Sequence, residues 1–564
     1  MEKNLIPLSE YPRPQLTRNS YFCLNGLWEY AITSDENIPE KFEGTILVPY
    51  SPETPLSTVK KHVKPTDYLY YKKEFKYQES MANDRLLLHF GAVDQIAEVY
   101  INNKFVFKHV GGFLPFNVDI KPFIKKTKNT IIVKVKDYSN SKSYSFGKQS
   151  LKRGGIWYTP QSGIYMPVWM EAVPYDYVQD IKIIPNIDEN KIRIKVISID
   201  NNVKIKLFNK EYKISSNKFY DFKVDKYTLW TPETPVLYPF EVSTTNDHVK
   251  SYFAMRKFSV LEDEKGIKRL GLNNKPLFMK GVLDQGYYQD GFLTPTSDED
   301  YINDIKLIKS MGFNVTRKHI KIESMRFYYH CDRLGLIVWQ DFVNGGSEYK
   351  FPTISFPLVT GNHKKDNNYK MFAREDEEAR NQTIEEFKDT INLLHNVPSI
   401  ALWTIFNEGW GQFDAAKIYE ECKKLDSSRI YDHASGWHDQ GVSDVKSLHV
   451  YFKKVNMPSK KETNNRAIIL SECGGYSLKI DGHTFNDKFF GYKKLKSKEE
   501  LIKEYTKFID TDIKPNIKKG LSAFIYTELS DVEDELNGFV TYDRKVVKVD
   551  PKIIKEINDS IDFE

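Results

Sequence analysis

Ile400-Ala401-Leu402-Trp403-Thr404-Ile405-Phe406-Asn407-Glu408 is the stretch on which the fold turns. The run before Asn407 is bulky, partly β-branched and free of polar alternation, which predicts a strand buried on both faces, as in a parallel sheet. Glu408 stands where that strand leaves the sheet, the position at which α/β barrels place reactive side chains. The pattern recurs at Ala467-Ile468-Ile469-Leu470-Ser471, which ends in Glu472 and runs into Cys473-Gly474-Gly475. An acid after a strand is commonly just a helix N-cap or a solvated loop residue. An amide, an acid, a glycine and an indole in the order Asn407-Glu408-Gly409-Trp410 make a poor solvated surface but a good sugar site. Two carboxylates at the ends of two core strands point to glycoside hydrolysis.

Outward from these runs the chain alternates strand and helix. Strands are predicted over 277–284, 314–320, 336–341, 400–407, 430–434, 447–451, 467–472 and 522–527, with helices over 298–311, 323–334, 374–395 and 413–425 among them. Eight such strands meet the count of a (β/α)₈ barrel, with Glu408 after the fourth and Glu472 after the seventh. The fifth and sixth units are short and their helices weak. Before about residue 260 the pattern is different. Short alternating runs such as Ala97-Glu98-Val99-Tyr100-Ile101 and Ile131-Ile132-Val133-Lys134-Val135, separated by turns, suggest a β-sandwich over 1–174. Period-2 runs such as Lys191-Ile192-Arg193-Ile194-Lys195-Val196 suggest a smaller one over 175–259, leaving 260–564 for the barrel. The segment 342–372, after strand three, lacks periodicity but holds Gly345-Gly346, Tyr349, Phe351 and Phe356. A loop of that length in a compact domain predicts a lid or wall over the site.

Composition narrows the class. Charged residues make up 28% and hydrophobic ones 40%, the balance of a globular chain. The net charge of +5 is scattered, with no basic stripe that would argue for nucleic acid. Neither a signal-peptide core nor an apolar stretch of membrane-spanning length is read, so a cytoplasmic protein without a membrane partner is expected. Cys23, Cys331, Cys422 and Cys473 form no C-x-x-C pair, which argues against structural zinc and a disulfide framework. Aromatic content of 14% is compatible with sugar stacking but mostly describes core.

With these residues in view, the chain resembles glycoside hydrolase family 2, the β-galactosidase and β-glucuronidase group. Tyr11-Pro12-Arg13-Pro14-Gln15-Leu16, Leu24-Asn25-Gly26-Leu27-Trp28, Gly91-Ala92-Val93-Asp94 and Gly163-Ile164-Tyr165-Met166-Pro167-Val168-Trp169 look like signatures of the family's sugar-binding jelly-roll domain. Leu229-Trp230-Thr231-Pro232-Glu233-Thr234-Pro235 is similar to its immunoglobulin-like middle domain. Met311-Gly312-Phe313-Asn314, Arg317-Lys318-His319, Asn407-Glu408 and Ser471-Glu472 resemble its barrel motifs. Each motif is short, but their order over three domains is specific.

The resemblance implies roles. Glu408 would be the acid/base and Glu472 the nucleophile of a retaining exo-β-glycosidase. Asn407 would bind the sugar 2-hydroxyl, Arg317 and His319 would flank the nucleophile and sugar, and Tyr451 would stand beside the nucleophile. Asp284 would bind sugar hydroxyls or be held in a buried structural pair, and Trp437 and His433 would line the pocket. The expected substrate is an oligosaccharide or glycoside, first a β-galactoside. The alternatives are β-glucuronidase, β-mannosidase, an arabinosidase-like activity, or a non-catalytic carbohydrate-binding protein. The Asn-x-Lys element of the family's β-glucuronidases is not evident near Tyr542-Asp543-Arg544, and no tryptophan stands within Tyr526-Thr527-Glu528-Leu529-Ser530-Asp531. No cofactor is called for. A divalent cation is compatible but no ligand cluster compels one, and a homo-oligomer is left open.

Overall fold

The computed structural model describes residues 6–357, 361 and 363–563. The strands of the barrel are β1 (Met279–Asp284), β2 (Val315–Lys318), β3 (Ile337–Asp341), β4 (Ile400–Thr404), β5 (Ile430–Asp432), β6 (Val445–Val450), β7 (Ala467–Gly474) and β8 (Leu521–Thr527). They form one parallel eight-stranded sheet in the order 5-4-3-2-1-8-7-6. The remaining seam, between β5 and β6, is bridged by the Asp444 amide donating to the Tyr431 carbonyl at 3.2 Å and by Ser447 Oγ donating to Asp432 at 3.1 Å.

Alternation along each strand divides the apolar residues between two cores. Met279, Leu283, Val315, Ile337, Trp339, Ile469 and Ile525 face the barrel interior. Their neighbours Val282, Val338, Ile468, Leu470 and Phe524 face outward into the larger core beneath the helices. The helix Glu377–Leu394 shows the matching pattern, burying Ala379, Thr383, Phe387, Thr390, Ile391 and Leu394 on one stripe. Asp376 caps it by accepting from the Ala379 amide at 3.0 Å. As the weak patterns of units five and six predict, no helix joins β5 to β6 among the described residues, and only the short Lys460–Thr463 helix lies between β6 and β7.

Two antiparallel sandwiches precede the barrel. The first pairs a six-stranded sheet with a four-stranded one, around a core that includes Trp28, Leu88, Val99 and Val133. The second packs three strands against four around Ile183, Ile194, Ile205 and Val242. Trp230, from the end of this sandwich, joins Phe258 and Leu270 of a hairpin in the barrel's interior core, so the end of the barrel away from the mouth is plugged.

Strand four is shorter than its apolar run. It stops at Thr404, and Ile405 to Glu408 leave the sheet, with the Glu408 amide donating to the Ser435 carbonyl at 2.9 Å. Glu408 has φ of +50°, a left-handed conformation that costs a residue with a side chain about 1–3 kcal/mol and tends to mark functional sites.

Gly281 faces the tightest part of the barrel interior. An added Cβ would lie 2.3 Å from the Ile525 side chain and 3.1 Å from Val315. Gly281→Ala should therefore cost about 1–3 kcal/mol through overpacking. Thermal unfolding will check this, and an unchanged midpoint would mean the interior can relax around the methyl group.

Candidate active site

Glu472 lies on β7 at a break in register. Leu448 of β6 pairs with Leu470 but His449 pairs with Glu472, and the β7–β8 register slips over the same stretch. Such irregularities re-aim side chains at barrel rims, and here they bring the Glu472 carboxylate under a convergence of donors. Arg317 Nη1 donates to Glu472 Oε1 at 3.2 Å, and the Tyr451 hydroxyl donates to Oε2 in a very short contact. Tyr451 is itself held by stacking on Tyr492, with ring centroids 3.9 Å apart. Burial opposes ionisation of Glu472, but His449, Arg317, His319 and the Tyr451 hydroxyl outweigh it and bring the carboxyl down to about 2.

Glu408 has a different environment. Its Oε1 lies 2.8 Å from His449 Nδ1, and its backbone carbonyl accepts from the Trp437 indole at 2.8 Å. Burial and the neighbouring Glu472 charge both push its carboxyl upward. Ser435 Oγ donates to Ser471 Oγ at 2.8 Å, which donates to the Leu448 carbonyl at 3.4 Å. Ser435 Oγ also lies 3.0 Å from His449 Nε2.

One oxygen of Glu408, one nitrogen of His449 and one oxygen of Glu472 all lie within 4.8 Å of one another. Carboxyl groups about 5–5.5 Å apart suit a retaining displacement, whereas an inverting pair stands about 6.5–9.5 Å apart to admit water. The same three side chains are the metal-compatible group among the described residues. A cation there would face the Arg317 guanidinium 3.2 Å from Glu472 Oε1.

The other residues singled out in the sequence divide into two sets. Arg317 Nη2 donates to Asn407 Oδ1 at 2.8 Å, which leaves the Asn407 Nδ2 hydrogens without a partner. His319 Nδ1 lies 2.7 Å from Asp341, and burial takes its ring down to about 4, so it is neutral near pH 7. Trp437 packs edge-on against His449 at 5.5 Å. Asp284 and His433 do not join this group. Leu283 faces the interior, so Asp284 points outward and accepts from Lys318 Nζ at 2.6 Å and the Gly286 amide at 2.8 Å. This is the buried structural pair. His433 braces its own loop through Ser443 at 2.9 Å and the Gln440 amide at 2.9 Å.

His449, Asp341, Ser435 and Tyr492 are site residues that sequence reasoning did not single out. His449 precedes Tyr451 at the same two-residue spacing that links Arg317 to His319, so the signal was present. The segment 342–372 stands at the same mouth. Its Asn344 carbonyl accepts from Phe146 and Gly147, and its Thr353 carbonyl accepts from His438, next to Trp437. Residues 358–360 and 362 of that loop lie outside the described residues.

A parallel barrel with opposed carboxylates at its C-terminal mouth is the frame of a large class of hydrolases, and comparison with known proteins narrows it. Family models match 264–562 (glycosyl hydrolases family 2, TIM barrel domain), 22–174 (its sugar binding domain) and 177–256 (glycosyl hydrolases family 2). The chain belongs to glycoside hydrolase family 2. A β-galactosidase of Thermoanaerobacter pseudethanolicus is 25% identical over 400 residues, 65% of this chain and 49% of that one. A β-glucuronidase of Streptococcus agalactiae is 24% identical over 422 residues, 71% of this chain and 68% of that one. The chain thus spans about half the length of the first relative. A solved β-D-glucuronidase of Dictyoglomus thermophilum superposes with TM-score 0.75 at 20% identity, covering 98% of this chain and 99% of that one. That likeness is one of fold.

No helix among the described residues is long and apolar enough to cross a membrane.

The depressed Glu472 carboxyl makes stability depend on pH. Its ionised form stabilises the fold above the ordinary value of 4.5, and that contribution is lost as pH falls toward about 2. Denaturant titrations of wild type and Glu472→Gln across this window should show the wild type losing more stability on acidification. Parallel pH profiles would mean that Glu472 is not held ionised by its neighbours.

Proposed function

We propose that the chain is a retaining exo-β-glycosidase, with Glu472 as nucleophile and Glu408 as acid/base. The observation that carries this is a carboxylate pair close enough for direct displacement, one member driven toward ionisation and the other toward protonation. A Glu472 oxygen bonds to the anomeric carbon as the bond to the leaving oxygen breaks, and Glu408 gives its proton to that oxygen. Glu408, now ionised, takes a proton from water, whose oxygen attacks the anomeric carbon and frees Glu472, giving net retention. The unpaired Asn407 Nδ2 hydrogens suit a sugar 2-hydroxyl, a bond that strengthens as oxocarbenium character develops. The loop 342–372 would wall the side from which the leaving group departs.

One substrate to test is a terminal β-galactoside, the sequence's own first expectation, in line with the relative from Thermoanaerobacter named a β-galactosidase. A β-glucuronide stands beside it with equal support, since the Streptococcus relative is named a β-glucuronidase. β-Mannoside and arabinoside activity, and a non-catalytic sugar-binding role, have no residue in the site that favours them over these two.

A 2-fluoro glycoside should label Glu472, and Glu472→Gln should abolish labelling and lower turnover by orders of magnitude. Glu408→Ala should slow glycosides with poor leaving groups far more than activated aryl glycosides, and azide should restore part of the loss as a β-glycosyl azide. Labelling of Glu408, or equal loss for all leaving groups without azide rescue, would overturn the assignment.

A further inference from the structure

The barrel mouth contains a cation that the barrel does not supply. Lys148 belongs to the first sandwich, and its side chain reaches over Trp410, the indole two residues past Glu408, at 4.8 Å from the ring centroid. Trp157 and Tyr158 flank it, each with its ring centroid 5.5 Å from the ammonium. The residue is only 5% exposed, yet its ammonium has no hydrogen bond or ion pair among the described residues. Burying an ammonium without an anion is costly, and aromatic faces return only part of that cost. The other cation of the mouth, Arg317, is fully paired with Asp341 and Glu472.

Lys148 is held in place from both domains. The Phe146 and Gly147 amides donate to the Asn344 carbonyl at 3.0 Å and 3.2 Å, tying the segment to the loop after β3. Gly147 has φ of +66°, and a Cβ there would press on the Ile320 carbonyl at 3.1 Å. On the other side Gln149 Nε2 donates to Asp94 at 2.7 Å, and the Tyr158 amide donates to the Lys148 carbonyl at 2.9 Å. A flexible lysine on a solvated loop needs no such clamps.

Three acids lie near enough to feel the ammonium, Glu408, Glu528 and Glu535, but none reaches ion-pair distance. Glu535 accepts from the Tyr158 hydroxyl at 2.6 Å and Asn537 Nδ2 at 2.9 Å, and Glu528 Oε2 accepts from Gln285 Nε2 at 2.9 Å while its Oε1 is buried without a hydrogen bond. Burial pushes both carboxyls upward, which lessens the negative charge they offer Lys148.

We propose that Lys148, delivered by the sandwich domain, is the residue that reads charge on the substrate, pairing with a carboxylate borne by the terminal sugar. This rests on the glycosidase reading above and selects hexuronides over neutral hexosides as the preferred glycone. A carboxylate brought to the ammonium supplies the anion that the protein withholds.

The test compares aryl β-glucuronide and β-galacturonide with aryl β-glucoside and β-galactoside, using wild type, Lys148→Met and Lys148→Arg. A charge-assisted hydrogen bond is worth about 1.5–3 kcal/mol, so Lys148→Met should lower the uronide-to-hexoside ratio of kcat/KM by about 10- to 150-fold. Lys148→Arg should keep more of the ratio than Met does. Thermal unfolding of each variant identifies a folding defect, and if neither variant folds, the wild-type ratio alone decides. Wild type that favours the neutral hexosides, or a ratio unmoved by Lys148→Met, would overturn the proposal while leaving the glycosidase reading intact. If wild type turns over none of the four and no 2-fluoro glycoside labels Glu472, the glycosidase reading itself has failed.

Discussion

The barrel mouth depends on one guanidinium. Arg317 donates Nε to both oxygens of Asp341 at 3.0 Å and 3.2 Å, Nη1 to the Ser471 carbonyl and Glu472, and Nη2 to Asn407. It thereby ties β2 to β3, to β7 and to the turn after β4, so one rigid plane fixes the nucleophile candidate relative to the amide beside its partner acid. A buried charge is tolerated only when its donors are met, and here the guanidinium is paired on every edge. A lysine has the charge without the fork and could not hold these partners in one plane.

That arrangement also explains why two similar carboxylates behave differently. Glu472 receives a cation and a phenol hydroxyl, so it gains by being ionised. Glu408 stands in a nearly closed environment at 9% exposure and in the field of Glu472, and these outweigh the opposing pull of His449, so it gains by keeping its proton. Neither shift is a property of glutamate in a strand terminus. The Glu472 shift follows from the cation and hydroxyl that meet it, the Glu408 shift from burial and from Glu472 itself, and the register break at His449 and Glu472 brings the two together.

Much of this was legible because barrel strands alternate. Apolar runs located all eight strands, and the acids that end the fourth and seventh stood out by their position. The parity rule that made Arg317 and His319 a pair extends to residues that were passed over. Val315, Ile337 and Val445 face the interior, so Asp341 and His449 fall on the inward face. Asp284 was singled out although it follows the inward-facing Leu283, and it turned outward to Lys318. In units five and six, where the helical patterns were weak, the described residues hold no helix in the one and only the short Lys460–Thr463 helix in the other. The contacts that could not be read join distant parts of the chain. Tyr492 against Tyr451 and Lys148 against Trp410 have no periodic or local signature.

The sandwich domain is therefore better understood as a wall of the site than as an appended module. Arg153 pairs with Glu533 and Asp534 at 3.1 Å and 3.0 Å, the Thr159 amide donates to Glu533, and the Tyr158 hydroxyl donates to Glu535. The loop after β8 thus finds its partners in the sandwich. Without them it would present three acids beside two that must titrate apart, and like charge in a low-dielectric mouth would raise the carboxyl that has to stay ionised. The domain interface supplies the counter-charges and hydrogen bonds of that loop, beside a Glu472 held ionised by residues of the barrel itself. The catalytic electrostatics proposed for the barrel are in that sense a property of the whole chain, and the covalent order of the domains, sandwich before barrel, places no residue of the mouth closer than folding brings it.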